Sequence, residues 1–216
     1  MLYSKYIKRL LSIIISGVSI IIASPIMIIT ALLVRIKLGK PVIFKQKRPG
    51  YHEKIFTLYK FRSMTNAVDE EGNQLPDEKR QTKFGRFLRK TSIDELPELF
   101  NIFKGDMAFI GPRPLLVRYL DIYTPEQHKR HNVRPGMANL SAIKGRNSIA
   151  WAERLSMDVW YTEHISFKLD LSIFLKTIKV VLFRKGSPDA VDSTRGTLEE
   201  ANKEYLALKE KRHEDK

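Results

Sequence analysis

Leu10 to Val34 is a run of 25 residues without a single charge. About 20 apolar residues suffice to cross the hydrocarbon core of a bilayer. The run is too long for the apolar part of a signal peptide, and no small-residue cleavage site follows it. A chain of 216 residues has no interior wide enough to cover such a helix on all sides. The segment is therefore expected to be membrane-embedded. Whether it crosses is a separate matter. Ser24-Pro25 sits near its middle, where proline removes a backbone donor and crowds the preceding turn. Ser24 is suited to bonding a freed carbonyl. Both flanks are basic: Lys5, Lys8 and Arg9 precede the run, and Arg35, Lys37, Lys40, Lys45, Lys47 and Arg48 follow it. Basic flanks favour the cytoplasmic side, and here both favour the same side. From the residues alone, a re-entrant helix-break-helix and a straight span with a proline kink remain equally open.

The rest of the chain is strongly cationic. The whole carries +14, but Ser187 to Lys216 carries −2, which leaves +16 on residues 1–186. Such a charge calls for an anionic partner: nucleic acid, an acidic membrane face or a phosphorylated substrate. No nucleic-acid recognition motif or aromatic–basic repeat supports the first of these. The chain has no cysteine, which excludes a disulfide scaffold, Cys-ligated zinc, iron–sulfur centres and thiol catalysis.

Local patterns predict an α+β, mainly helical body. Pro41 to Phe61 reads as a small β-hairpin turning at Pro49-Gly50. Asn66 to Gln81 reads as a polar surface loop. Thr82 to Arg89 is a short amphipathic segment, with Phe84, Phe87 and Leu88 against Lys83, Arg86, Arg89 and Lys90; it suits an interfacial helix on an anionic phospholipid membrane or a solvated one. Ser92 is expected to cap a helix running through Leu96, Leu99, Phe100 and Phe103 to a stop at Gly105. Further helices are expected over Leu115–Tyr123, from Thr124-Pro125, over Ala150–Glu163 and over Leu169–Phe183, with a tail helix at Leu198–Leu208. The domain reading is a membrane hairpin at 1–38, a catalytic domain at 39–186 and an acidic tail at 187–216.

The chemistry centres on Asp94-Glu95. Two acids in a first helical turn ordinarily serve only the helix dipole. Here Lys60, Arg62, Arg86, Arg89 and Lys90 lie within 35 residues, and the rigid Gly111-Pro112-Arg113-Pro114 follows. A carboxylate pair among cations suits a phosphate-handling site: one acid to attack phosphorus, the other to hold Mg²⁺, and arginines to neutralise charge on the transferred group. No Walker loop, Rossmann fingerprint or His-Glu-x-x-His is present, and Ser63 and Ser141 lack a nucleophile elbow. His128 and His131 lack a third metal ligand and read as surface residues. Arg146, Asn147 and Trp151 suit nucleotide contact and a structural role equally well.

Lys60-Phe61-Arg62-Ser63-Met64, Thr91 to Asn101 (TSIDELPELFN), Lys104-Gly105-Asp106-Met107, Ile110 to Pro114 (IGPRP), Arg134-Pro135-Gly136 and Gly145-Arg146-Asn147 occur in this order. Together with the Ser-Pro-interrupted apolar segment, they resemble the bacterial sugar transferase family over residues 1 to about 185. Within it, the chain is similar to the small monotopic phosphoglycosyl transferases of the PglC type. The resemblance implies transfer of a phosphosugar from a UDP-sugar to undecaprenyl phosphate, with release of UMP, at the bacterial cytoplasmic (inner) membrane and with the catalytic domain facing the cytoplasm. It implies Asp94 as the nucleophile of a covalent phosphosugar intermediate and Glu95 as the Mg²⁺ ligand. Lys60, Arg89 and Arg113 are implied as phosphate-site cations, with Arg62 and Arg146 as further candidates from their neighbourhood. Ser24-Pro25 is implied as the break that keeps the segment re-entrant. The sugar and the oligomeric state are left open. One stretch departs from the pattern: Asn139 stands where the family usually has glycine, and Ala142 where it has glutamine. That change points to altered specificity, or to an inactive scaffold derived from the enzyme.

Overall fold

The computed structural model describes residues 2–144, 149–182, 197–203 and 205–207. After a π-helical turn at Tyr3–Ile7, helix α1 runs from Lys8 to Lys37. Thirty residues give it a length of about 45 Å. Pro25 lies inside it, so the residue pair expected to break the helix is carried within one helical element. Ser24 Oγ donates to the Ile21 carbonyl at 2.8 Å, as expected for a serine beside a proline.

One stripe of α1 packs against the rest of the molecule. Ser12, Ser16, Thr30 and Val34 are buried, and Ile20, Ala23, Met27 and Ala31 join core clusters between them. The Ser12 and Ser16 hydroxyls donate back to the Lys8 and Ser12 carbonyls, which satisfies them without solvent. Gly17 faces the Phe103 ring, which lies 3.4 Å from where a Cβ would stand, an ordinary contact distance. The opposite face, including Ile14, Ile15, Val18, Ile21, Ile22, Ile28, Ile29 and Leu32, is exposed. A soluble core helix would be covered on that side; an apolar face of this length left bare marks the protein as membrane-associated.

Strands β1 (Ile43–Pro49) and β2 (Ile55–Phe61) form the expected antiparallel hairpin, with Ile43 opposite Phe61 and Pro49 opposite Ile55. The polar loop after it contains a short helix, α2 (Asp77–Arg80). Helix α3 (Lys83–Thr91) is capped by Thr82, whose hydroxyl accepts from Gly85 N. Leu88 points into the core, whereas Phe87, grouped with it on the apolar face in the sequence pattern, is exposed.

Ser92 does not cap a helix. It ends α3 in the left-handed region (φ 56°), and Ile93–Glu95 forms a 3₁₀ turn. The reason is Pro97. It has no N–H to donate to the Ile93 carbonyl, so an α-ladder cannot run through from Ser92; Leu96 N takes that carbonyl at 3.2 Å instead. Helix α4 (Glu98–Lys104) starts after the proline and stops at Gly105 (φ 101°). The Arg9 guanidinium caps it, donating to the Ile102 and Phe103 carbonyls at 2.7 and 2.9 Å.

Strand β3 (Ala108–Ile110) pairs in parallel with a later strand, a second sheet that the sequence reading did not contain. The helix expected over Leu115–Tyr123 is only a 3₁₀ turn at Val117–Tyr119. Its side chains serve the core instead: Leu115, Tyr119 and Tyr123 cluster with Trp151, Leu155 and Leu198. Helix α5 (Pro125–His128) opens with the expected proline, under a Thr124–Gln127 capping box. Strand β4 (Gly136–Ala138) completes the parallel pair, followed by α6 (Leu140–Lys144), α7 (Trp151–Glu163) and α8 (Phe167–Leu182). On α8, Ile173 and Asp170 face the body, and the apolar stripe of Leu171, Phe174, Leu175 and Ile178 faces outward. The tail segment α9 (Leu198–Ala201) docks through Leu198.

Candidate active site

The 3₁₀ turn after α3 presents two acids side by side, and α4 adds a third. Asp94 is 7% exposed and Glu98 4%. Lys60, near the end of β2, is the cation between them: its ammonium donates to Glu95 Oε1 at 2.7 Å and lies 3.0 Å from Glu98 Oε1. Arg113 brings its Nη2 to 3.7 Å from the same Glu95 oxygen. Arg89, in the last turn of α3, donates to Ser63 Oγ at 3.0 Å. Its charge is felt at Asp94.

The supports of this constellation are local. Asn101 is fully buried on α4; its amide donates to Thr57 O at 2.8 Å and its Oδ1 accepts from Tyr59 N at 3.1 Å. Those bonds lock the helix carrying Glu98 to the strand carrying Lys60. Gly85 lets α3 lie directly on residue 63, since a Cβ there would stand 1.8 Å from the Ser63 carbonyl oxygen. Gly111 and Gly136 allow an equally close crossing of β3 and β4: a Cβ on Gly136 would lie 2.0 Å from Gly111 N. That crossing aims the Gly111–Pro114 loop at the acids.

Burial, together with the charge of Glu95, pushes the Asp94 carboxyl up to about 6, against the pull of Lys60 and Arg89. Burial raises Glu98 as well, with Glu95 adding to it and Lys60 opposing. Burial alone would lower Lys60, but Glu95 and Glu98 outweigh it and the ammonium is held charged. Asp94 thus sits near the boundary between a proton carrier and an anion.

The profile of the family described as "Bacterial sugar transferase" matches residues 3–184. The chain belongs to that family. The transferase is 53% identical to the "Uncharacterized sugar transferase EpsL" of Bacillus subtilis, over 76% of this chain and 81% of that one. It is 38% identical to the "Undecaprenyl-phosphate galactose phosphotransferase" of Salmonella typhimurium, over 85% of this chain and 42% of the other. It is 37% identical to the "UDP-N-acetylgalactosamine-undecaprenyl-phosphate N-acetylgalactosaminephosphotransferase" of Aeromonas hydrophila, over 82% of this chain and 44% of the other. The transferase therefore spans less than half the length of these last two relatives.

Of the residues singled out from sequence, Asp94, Glu95, Lys60, Arg89 and Arg113 come together in the transferase. Arg62 does not join them. It is buried, and its guanidinium donates to the Lys40 carbonyl at 2.6 Å and to the Leu38 carbonyl, closing the C-terminal end of α1. Alternation along a strand would put residues 60 and 62 on one face, but Arg62 lies one residue past the end of β2, where that alternation no longer aims it. Arg146 lies outside the described residues. Glu98 was missed, although it stands one helical turn beyond Glu95, the spacing that places two side chains on one face.

One of the two histidines, His131, differs from expectation. His131 is buried, with Nδ1–H donating to the Gly50 carbonyl at 3.2 Å, and His128 pairs with Glu53 at 2.5 Å. Among the described residues no group of three or more His, Cys, Asp or Glu side chains is placed to hold a metal ion. The donor set at the acids is one of hard carboxylate oxygens, partly engaged by Lys60. It fits a cation such as Mg²⁺ that keeps waters and takes further ligands from a substrate diphosphate. It does not fit a closed protein cage.

The departure at Asn139 has a local explanation. Its Oδ1 accepts from Ser141 Oγ at 2.7 Å and from Ala142 N at 2.8 Å, so it caps α6. Asparagine is among the best residues for that position, better than the glycine usual in the family.

Proposed function

We propose that the transferase moves a phosphosugar from a UDP-sugar to undecaprenyl phosphate, releasing UMP, through a covalent intermediate on Asp94. The observation that carries this reading is a buried carboxylate, Asp94, flanked by a second one, Glu95, with Lys60, Arg89 and Arg113 converging on the pair. The activities named for the Salmonella and Aeromonas relatives supply the substrate class.

In the first displacement, an Asp94 oxygen attacks the phosphorus bonded to the sugar. The bond to the bridging oxygen breaks, and UMP leaves with the electron pair. In the second, a phosphate oxygen of the lipid attacks the same phosphorus and the Asp94 carboxylate is expelled. Lys60 and Arg113 hold the phosphoryl oxygens and balance charge during both steps. Glu95 would hold Mg²⁺, which when bound offsets the repulsion between the carboxylates and a diphosphate. Two displacements replace one encounter of three components.

The setting follows from α1. Lys8 near its start pairs with Asp170 at 2.7 Å, while Val34 near its end packs with Phe61 and Leu88. Both ends of α1 rest on one body, and both flanks are basic. These facts support a re-entrant, monotopic seat in the cytoplasmic membrane, with the acids at the interface where a soluble nucleotide sugar and a lipid phosphate meet.

UMP release from a panel of UDP-sugars, with undecaprenyl phosphate and Mg²⁺, tests the reading. Release stoichiometric with enzyme when the lipid is omitted, and labelled sugar trapped on the wild type but not on Asp94→Asn, are the expected results. Full turnover by Asp94→Asn would overturn it.

A further inference from the structure

Three consecutive carbonyls of the Gly111–Pro114 loop each accept a hydrogen bond from a different part of the chain. Pro112 O accepts from Gly136 N of β4 at 2.9 Å. Arg113 O accepts from Arg130 Nη2 at 2.6 Å. Pro114 O accepts from Arg48 Nη1 of β1 at 3.2 Å. Prolines on both sides of Arg113 remove two N–H donors and restrict φ, so the loop is held almost wholly through its carbonyls.

Arg130 is built to be immobile. It is 2% exposed. Its Nη2 and Nε lie 2.7 and 3.2 Å from Asp158 Oδ2, and its Nη1 lies 3.2 Å from the Tyr123 hydroxyl. A buried Arg–Asp pair is a poor device for stability alone, because well-packed apolar side chains of similar volume generally serve as well. What it adds is direction: a rigid planar donor fixed beneath one carbonyl. On the other side of that peptide, the Arg113 side chain is half-exposed and reaches toward Glu95.

We infer that Arg130 and Arg48 are positioning residues that act through Arg113, pinning its backbone so that its guanidinium is delivered to the phosphate site. Arg130 bonds Asp158, Tyr123 and the Arg113 carbonyl, and Arg48 bonds Gln46 and the Pro114 carbonyl. The loop becomes a fixed pedestal from which the Arg113 side chain reaches the phosphate site. The inference rests on the phosphate role given to Arg113 under Proposed function.

A double-mutant cycle tests it, with two readouts on the full-length protein in detergent: kcat/KM for UMP release, and the Kd of UDP by calorimetry. The set is wild type, Arg113→Ala, Arg48→Met and the Arg48→Met/Arg113→Ala pair. Arg130→Met/Asp158→Leu, which removes both buried charges together so that neither is stranded, is also combined with Arg113→Ala. Arg48→Met and the Arg130/Asp158 pair are each expected to lower kcat/KM about tenfold in the wild-type background and to have no further effect once Arg113 is alanine. Losses that multiply fully with that of Arg113→Ala would overturn the clamp and leave the phosphate role of Arg113 standing. Wild-type activity and UDP affinity in Arg113→Ala would overturn both.

Discussion

The Lys60 ammonium lies 2.7 Å from Glu95 Oε1, and Glu98 closes on it from the far side. One cation thus serves two carboxylates while a third, Asp94, feels its charge. Replacing Lys60 by methionine keeps the stem and removes the charge. Turnover is expected to fall by about 10²–10³-fold, as for loss of one group stabilising the transferred phosphoryl. The acid limb of the pH–rate profile is expected to move to higher pH, because Lys60 opposes the upward shift of Asp94. An unmoved acid limb in Lys60→Met would show that the charge does not act on Asp94.

Gly85 and Gly136 are expected to tolerate no side chain. A methyl on Gly85 would collide with the Ser63 carbonyl, which is backbone and cannot rotate away. Gly85→Ala should lower stability by about 1–3 kcal/mol, the range for overpacking, and should weaken activity because Arg89 rides on the same helix. Gly136→Ala should do likewise by spreading β3 from β4. Denaturant midpoints in detergent, compared with UMP release, check both effects.

His131 supplies a pH dependence of folding. Burial and the neighbouring Arg130 charge lower it to about 4, from an ordinary value of 6.5. The unfolded chain therefore binds the proton more readily than the folded one. Stability is complete above about pH 6.5 and is lost as pH falls toward 4, by about 3 kcal/mol over that window. His131→Gln is expected to flatten this part of the stability–pH curve; a variant curve parallel to that of the wild type would assign the acid loss to other groups.

The two faces of α1 should respond to different tests. Ile22 is 73% exposed, and Ile22→Lys places a charge where lipid is expected, at a cost of about 2.5–3.5 kcal/mol. Membrane retention after carbonate washing should fall. Ser16 is fully buried against the body, and Ser16→Leu should leave retention intact while lowering the thermal midpoint. Equal retention in both variants would argue against a lipid-facing outer side.

Much of this was legible in the chain. The uncharged run, the Pro49-Gly50 hairpin, Thr124 with its proline and the start of α7 at Trp151 are all set by local chemistry: hydrophobicity, turn residues and caps. What was missed depended on distant partners. The parallel β3–β4 pair is formed by two three-residue strands far apart in sequence, too short for any periodicity to show. Leu115–Tyr123 carries a helical pattern, yet its apolar residues are drawn into a cluster with Trp151 and Leu198 that no local rule contains. At the site, Asp94 and Glu95 among nearby cations such as Lys60 were legible, their individual roles only through the resemblance, and Glu98 was passed over. The diversion of Arg62 to the end of α1 was not legible, because it depends on where that helix terminates. The turn at Ser92 was misread because Pro97, five residues on, vetoes the ladder that serine appeared to start.

The α1 helix turns Ser12, Ser16 and Thr30 toward the body, with Ile20 among them, and leaves most of its isoleucines and leucines outward. A generic anchor of leucines would be as greasy and as long, and would still insert. It would offer bulk where α4 needs the flat Gly17 surface for Phe103, and it would lack Arg9 over the α4 carbonyls. In this transferase the membrane segment is a fitted part of the enzyme, and a chimera bearing a foreign anchor would be tethered to the bilayer yet badly assembled.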